Sequence, residues 1–164
     1  MNEETKRILD DHEKRITALE NRIPKGELQT AISTSLEERI KKFATKLGIT
    51  EIQLKNIFDF EADSLNLIRI DGNDEREKTQ NATLALLLGY RHCYNNDEVS
   101  SIEIRRNLAE NKISINNFST HLNRIIPSFL RRKGTVKSAK TSYKLTIPGE
   151  VKAKEIVKRI ALPE

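Results

Sequence analysis

The chain has 164 residues, of which 37% are hydrophobic and 32% are charged, which is enough for one ordinary hydrophobic core and too little for two large domains. No run approaches 18 apolar residues and the N-terminus is polar, so we expect a cytoplasmic protein without a membrane span or a signal peptide. The single cysteine, Cys93, excludes an internal disulfide. With only three histidines the chain offers no spaced Cys/His set, so we expect no metal site and no cofactor.

The first segment has the heptad pattern of a short coiled coil. Its seam is formed by Leu9, Ile16 and Ile23 at a positions and by His12 and Leu19 at d positions, and Pro24 ends it. The narrow stripe favours self-association through Leu9, Ile16, Leu19 and Ile23 over packing on the same chain. Residues 15–20 resemble a short motif that favours trimers, whereas β-branched a positions favour dimers, so both a dimer and a trimer remain open.

Residues 24–73 show helical and then strand periodicity. Apolar residues recur at helical spacing from Leu28 to Leu47, Gly48 follows as a stop signal, and Thr50 with Gln53 has the form of a capping box. Alternation then predicts two short strands around the turn 61–64. Basic and acidic residues are balanced here, so we expect a structural role, either as a second degenerate winged-helix-like unit or as a platform for the next helix.

The rest of the chain, residues 74–164, predicts helices separated by short strands. The strongest helix spans residues 74–94, and the unfavourable Gly89 within it indicates a close neighbour. A short strand at 98–99 precedes a helix from Ser100 to about Glu110, and Ser114 is predicted to cap a helix at 115–126 that Pro127 limits. Two strands then flank a basic tip, and a last helix covers residues 150–160. The predicted fold class is therefore α+β, mainly α with small β-hairpins.

Charge is segregated along the chain. Residues 111–149 contain eight basic and no acidic side chains, although the whole chain carries only +5, so the remainder is net −3. Such segregation is typical of a surface that binds a polyanion, and a solvated basic face is the alternative.

The order of helix, short strand, helix, turn, polar-faced helix, basic hairpin and closing helix resembles the winged helix-turn-helix family of DNA-binding domains. The resemblance implies that helix 115–126 enters the major groove and that the hairpin 131–144 is a wing on the DNA backbone. The resemblance covers about residues 74–160, so it makes residues 74–164 the DNA-binding domain. The heptad pattern predicts an oligomerisation helix at residues 1–23, and the balanced charge predicts a structural unit at residues 24–73.

The chemistry of the side chains agrees with these roles, because amides, hydroxyls and guanidinium groups pair with base edges and long basic side chains neutralise phosphates. The predicted base-reading residues are Asn116, Asn117, Thr120, His121 and Arg124. The predicted phosphate-binding residues are Lys112, Arg131, Arg132, Lys133, Lys137, Lys140 and Lys144. Tyr143 is expected either to pack under the wing or to stack on a base.

We therefore expect a non-enzymatic protein that binds double-stranded DNA as a homo-oligomer, as a transcriptional regulator or a plasmid- or chromosome-organising factor of a bacterial or archaeal nucleoid. The sequence contains no nucleophile elbow, no phosphate-binding Gly-rich loop and no HExxH motif. A protein assembly module and an RNA-binding protein are the alternatives.

Overall fold

A computed structural model describes residues 25–136 and 138–163, with side chains from residue 35 onward. Helix α1 spans Lys25–Leu47, and its first half, up to Ser35, belongs to a separate unit from residues 36–163, which form one compact unit. The predicted coiled-coil seam of Leu9, Ile16, Leu19 and Ile23 lies outside the described residues.

The compact unit contains two small antiparallel sheets among helices, which confirms the α+β class. After α1, the elements are α2 Glu51–Lys55, β1 Phe58–Phe60, β2 Leu65–Leu67, α3 Glu75–Tyr94, β3 Val99–Ser100, α4 Ser101–Glu110, α5 Phe118–Asn123, β4 Leu130–Lys133, β5 Ser142–Leu145 and α6 Ile147–Ala161. Strands β1 and β2 form a hairpin, and β3, β5 and β4 form a three-stranded sheet in that order.

The helix stripe, the helix stop and the capping box predicted in the first third of the chain are present in the structure. Ile40, Phe43 and Leu47 of the α1 stripe are buried, and Gly48 ends the helix with a φ of +71°. The Thr50 amide donates to Gln53 Oε1 over 2.8 Å, and the Gln53 amide donates to Thr50 Oγ1 over 3.2 Å. The capping box is therefore complete and begins α2.

Helix α3 is the centre of the core. Its leucines at 84, 86, 87 and 88 are all buried, and Asp74 caps its first turn by accepting from the Glu77 amide over 2.7 Å. A Cβ on Gly89 would overlap Cδ2 of Leu65, which confirms the predicted close neighbour. Since Leu65 belongs to β2, the hairpin before residue 73 packs directly on the first helix after it, and this contact favours the platform role.

Side chains of α3 and α4 complete the hydrogen bonding of this hairpin. Asn107, fully buried on α4, accepts from the Leu67 amide over 2.9 Å and donates to the Leu65 carbonyl over 3.2 Å. The Tyr90 hydroxyl accepts from the Leu65 amide over 3.1 Å, and Asn111 donates to the Leu67 carbonyl over 3.0 Å. These side chains thus form hydrogen bonds with the backbone amides and carbonyls at the free edge of β2, as a third strand would.

Replacing Asn107 by leucine is expected to lower the free energy of unfolding by about 2 kcal/mol, because two buried backbone groups of β2 would lose their partners. The measurement is urea denaturation followed by circular dichroism. Asn66 is a suitable control, because its side chain bonds only to exposed groups, and Asn66→Ala should change the unfolding free energy by less than about 0.5 kcal/mol. Equal effects of the two changes would contradict the role of Asn107.

The C-terminal part differs from the prediction in its helix limits. Helix α5 covers only Phe118–Asn123, not residues 115–126, and Ser114 does not cap it, because its hydroxyl accepts from the Asn116 amide over 3.3 Å instead. Ile115 is exposed, so it makes no core contact that would extend α5 toward the N-terminus. At the other end of α5, Pro127 lacks an amide hydrogen and limits the helix. Helix α6 begins three residues earlier than predicted, with Thr146 as its N-cap and Pro148 in its first turn.

Candidate nucleic-acid interface

Helix α5 separates a buried face from an exposed polar face. Phe118 and Leu122 are fully buried, whereas Asn116, Asn117, Thr120 and Arg124 are exposed. Residues 116, 120 and 124 follow each other at helical spacing, although only Thr120 lies within the helix itself. Four of the five predicted base-reading side chains are therefore exposed along α5 and its two ends, and we call this exposed set the α5 face.

His121, the fifth predicted base reader, does not lie on the α5 face. Its carbonyl accepts from Gln80 Nε2 of α3 over 2.8 Å, and its ring is half-buried with Nδ1 enclosed and without a hydrogen-bond partner among the described residues. His121 is thus less accessible than the other four predicted base readers, because the helix phase that exposes Thr120 turns the next residue toward the protein.

The basic hairpin, which we define as residues 130–145, has two different faces. Its register pairs Leu130 with Leu145, Arg131 with Lys144, Arg132 with Tyr143 and Lys133 with Ser142. Successive residues of a strand point to opposite sides, so Arg131, Lys133 and Lys144 share an outer face, whereas Arg132 lies on the inner face with buried Tyr143. The predicted phosphate-binding residues are therefore divided between two surfaces.

The outer face is partly neutralised by Glu98, which directly precedes β3. Ser142 donates a hydrogen bond to Glu98, and Lys133 Nζ lies 3.4 Å from its Oε1. The Ser142 hydroxyl, and then the charges of Lys133 and Lys144, hold the pKa of Glu98 below its usual value. A carboxylate is therefore present in the middle of this face at neutral pH.

The inner face connects the hairpin to α5. Arg132 Nη1 donates to Asn123 Oδ1 over 2.8 Å, and the Tyr143 ring packs edge-on against Phe118 with 5.9 Å between centroids. Burial raises the pKa of Tyr143, so its hydroxyl stays protonated. Of the two roles predicted for Tyr143, packing under the hairpin is the observed one.

Two of the predicted phosphate-binding lysines need separate mention. Lys112 lies on neither face of the hairpin but in the turn between α4 and α5, where it lines a cleft with Ile70, Glu75 and Lys78. Lys137 lies outside the described residues. Arg124 and Lys140 are both exposed, the first at the end of α5 and the second at the hairpin tip.

Sequence reasoning missed Arg105, a half-buried side chain of α4. Its Cζ lies 4.7 Å from the centre of the Phe118 ring, within the range of a cation–π contact. It lines a cleft with Asn116, Ser119 and Thr120, next to the α5 face. The signal that could have found it is its helical spacing from buried residues 101 and 108, four before it and three after it, which places residue 105 at the margin of the buried face.

The described residues contain no helix with both the length and the apolar character needed to cross a bilayer. Compared with protein-family models, with curated proteins and with solved structures, the chain gives no match.

Proposed function

We propose that the chain is a non-catalytic protein that binds double-stranded DNA through a winged helix-turn-helix domain. The order α3, β3, α4, α5, β4, β5 and α6 supports this proposal, as does the sheet order β3-β5-β4, in which the strand before α4 pairs with the last strand of the basic hairpin. In the winged-helix resemblance, α5 is the recognition helix and the basic hairpin is the wing.

The observation that carries the proposal is the continuity of the α5 face with the basic hairpin. Polar side chains of α5 are exposed on a helix held by Phe118 and Leu122, and the Arg132–Asn123 hydrogen bond joins that helix to the hairpin. Amide and guanidinium groups of Asn116, Asn117 and Arg124 suit base edges, and Arg132 and Lys140 suit backbone phosphates. Sequence preference would come from α5 and salt-sensitive affinity from the hairpin.

The N-terminal residues 1–23 would join two or three copies as a coiled coil. Two domains on one oligomer bind neighbouring DNA sites with a high effective concentration, which raises the apparent affinity by about 10²-fold or more. Such a protein would act as a transcriptional regulator or as a DNA-organising factor in the cytoplasm.

The test is a fluorescence-anisotropy titration of labelled random-sequence duplex DNA with the full chain at several salt concentrations. With about six phosphate contacts, the logarithm of the binding constant should fall with the logarithm of salt concentration at a slope of about −5. Duplex RNA and single-stranded DNA serve as competitors and should displace the label less well. The absence of binding at low salt would contradict the proposal and favour a protein assembly module, whereas preference for RNA would favour an RNA-binding protein.

A further inference from the structure

A cleft of about 590 Å³ lies between α4, residues 115–120 at the start of α5, and the tip of the basic hairpin. Its lining includes Arg105 from α4, then Asn116, Ser119 and Thr120 from the start of α5, and Ser138 from the tip. The walls thus come from three parts of the fold, and most of the polar groups along them are hydrogen-bond donors.

Packing holds Arg105 beside this cleft. Its guanidinium lies over Phe118, which is fully buried and is itself fixed by the edge of Tyr143. A planar guanidinium stacked on a ring keeps its edge available for two parallel hydrogen bonds. Arg105 is therefore oriented before any ligand arrives.

The charge of Arg105 has no carboxylate partner within the described part of the chain. No described carboxylate lies within ion-pair distance of it, and its Nε is buried without a hydrogen-bond acceptor. The next residue, Arg106, is the opposite case, because it pairs with Glu103 and, over 3.6 Å, with Glu110. An oxyanion in the cleft would be bound through the two Nη groups, which are not enclosed as Nε is and have no acceptor among the described residues.

Hydroxyl groups add further donors to the cleft. Neither Ser119 nor Thr120 donates a side-chain hydrogen bond to another described residue, and both line the cleft with Arg105. One cationic fork with two hydroxyls is the chemistry that binds the oxygens of a phosphate.

We propose that this cleft is a seat for one phosphate group, with Arg105 as its main contact and Ser119 and Thr120 as supporting donors. The phosphate comes from a DNA backbone that crosses α4 and α5 or from a free phosphate-bearing molecule. The first source rests on the proposed function, and the second does not.

The experiment compares Arg105→Met with Arg106→Met in the full chain, because methionine keeps an apolar stem over Phe118 and both changes remove one charge. In the first arm, inorganic phosphate is titrated while backbone amide signals are followed by NMR. Signals near Arg105, Ser119 and Thr120 should shift and saturate in the original chain and in Arg106→Met, but not in Arg105→Met.

In the second arm, duplex DNA binding is measured at several salt concentrations. Arg105→Met should weaken binding about tenfold and reduce the salt slope by about 0.9, the value for one phosphate, whereas Arg106→Met should stay within about twofold. If Arg105→Met lowers the melting temperature, Arg105→Lys replaces it, and this variant should lose the two-pronged contact and bind about threefold more weakly.

The outcomes separate the two sources and the two proposals. A response to inorganic phosphate without any DNA binding would support the seat and contradict the proposed function. DNA binding that is equally sensitive to Arg105 and Arg106, together with no local response to inorganic phosphate, would overturn the seat and leave DNA binding intact.

Discussion

Replacing Gly149 by alanine is expected to lower the free energy of unfolding of residues 36–163 by about 3 kcal/mol or more. A Cβ at this position would overlap the carbonyl oxygen of Phe129 and lie 2.8 Å from its carbonyl carbon. Both atoms belong to the backbone, so no side-chain rotation relieves the clash, and α6 must move away from the turn before β4.

The same junction contains several hydrogen bonds that the shift would disturb. The Thr146 amide donates to the Phe129 carbonyl over 3.1 Å, and the Thr146 hydroxyl donates to the Ser128 carbonyl over 2.7 Å. The Gly149 amide in turn donates to Thr146 Oγ1 over 3.0 Å. Displacing α6 by even a small distance therefore weakens the N-cap of that helix as well as its contact with the basic hairpin.

Thermal and urea unfolding followed by circular dichroism measure this effect, and Gly48→Ala is the matched control. Gly48 has a positive φ of +71° but no atom within 4 Å of its ideal Cβ position. Alanine there costs only the left-handed backbone conformation, about 1 to 2 kcal/mol. If Gly149→Ala lowers the free energy of unfolding by no more than Gly48→Ala does, α6 tolerates displacement from Phe129.

The comparison of Gly89 with Gly149 illustrates what sequence reasoning can reach. Gly89 interrupts a strong helical pattern, so its cost in helix propensity already indicates a close neighbour, which is Leu65. Gly149 follows a proline directly before the predicted last helix, where glycine needs no further explanation. The contact with Phe129 depends on how the hairpin meets α6, and no local pattern contains that information.

For Asn107 and the basic residues of the hairpin, too, the sequence does not reveal which groups they contact. Asn107 lies between apolar Ile104 and Leu108 on α4, and its partners on β2 are about forty residues earlier in the chain. The eight basic residues after Asn111 predict a basic surface, but strand register decides which of them point together. Sequence therefore predicts the elements and the charge, whereas tertiary packing determines the two faces of the hairpin and the position of Arg105.

The two faces lead to the prediction with the largest expected effect on binding. Changing Arg132 and Lys140 together to glutamate is expected to weaken duplex DNA binding about 100-fold at moderate salt, if the proposed function holds. Arg132 joins the hairpin to α5 through Asn123, and Lys140 is exposed at the tip, beside Ala139 of the cleft. Reversal replaces two phosphate contacts by two repulsions, which affects affinity more than simple removal.

Arg131→Glu with Lys144→Glu is the matched control, because it lowers the net charge by the same four units on the outer face of β4 and β5. Long-range attraction between protein and DNA changes equally in the two pairs. Because Arg132 also bonds to Asn123, circular dichroism must first show that both variants keep the fold, and the remaining difference between them then reports direct contact. We expect the outer pair to weaken binding less than about tenfold, since Glu98 already places a carboxylate there. Equal losses from both pairs would show that net charge alone controls binding, and a larger loss from the outer pair would move the DNA to the side of the sheet that faces away from α5.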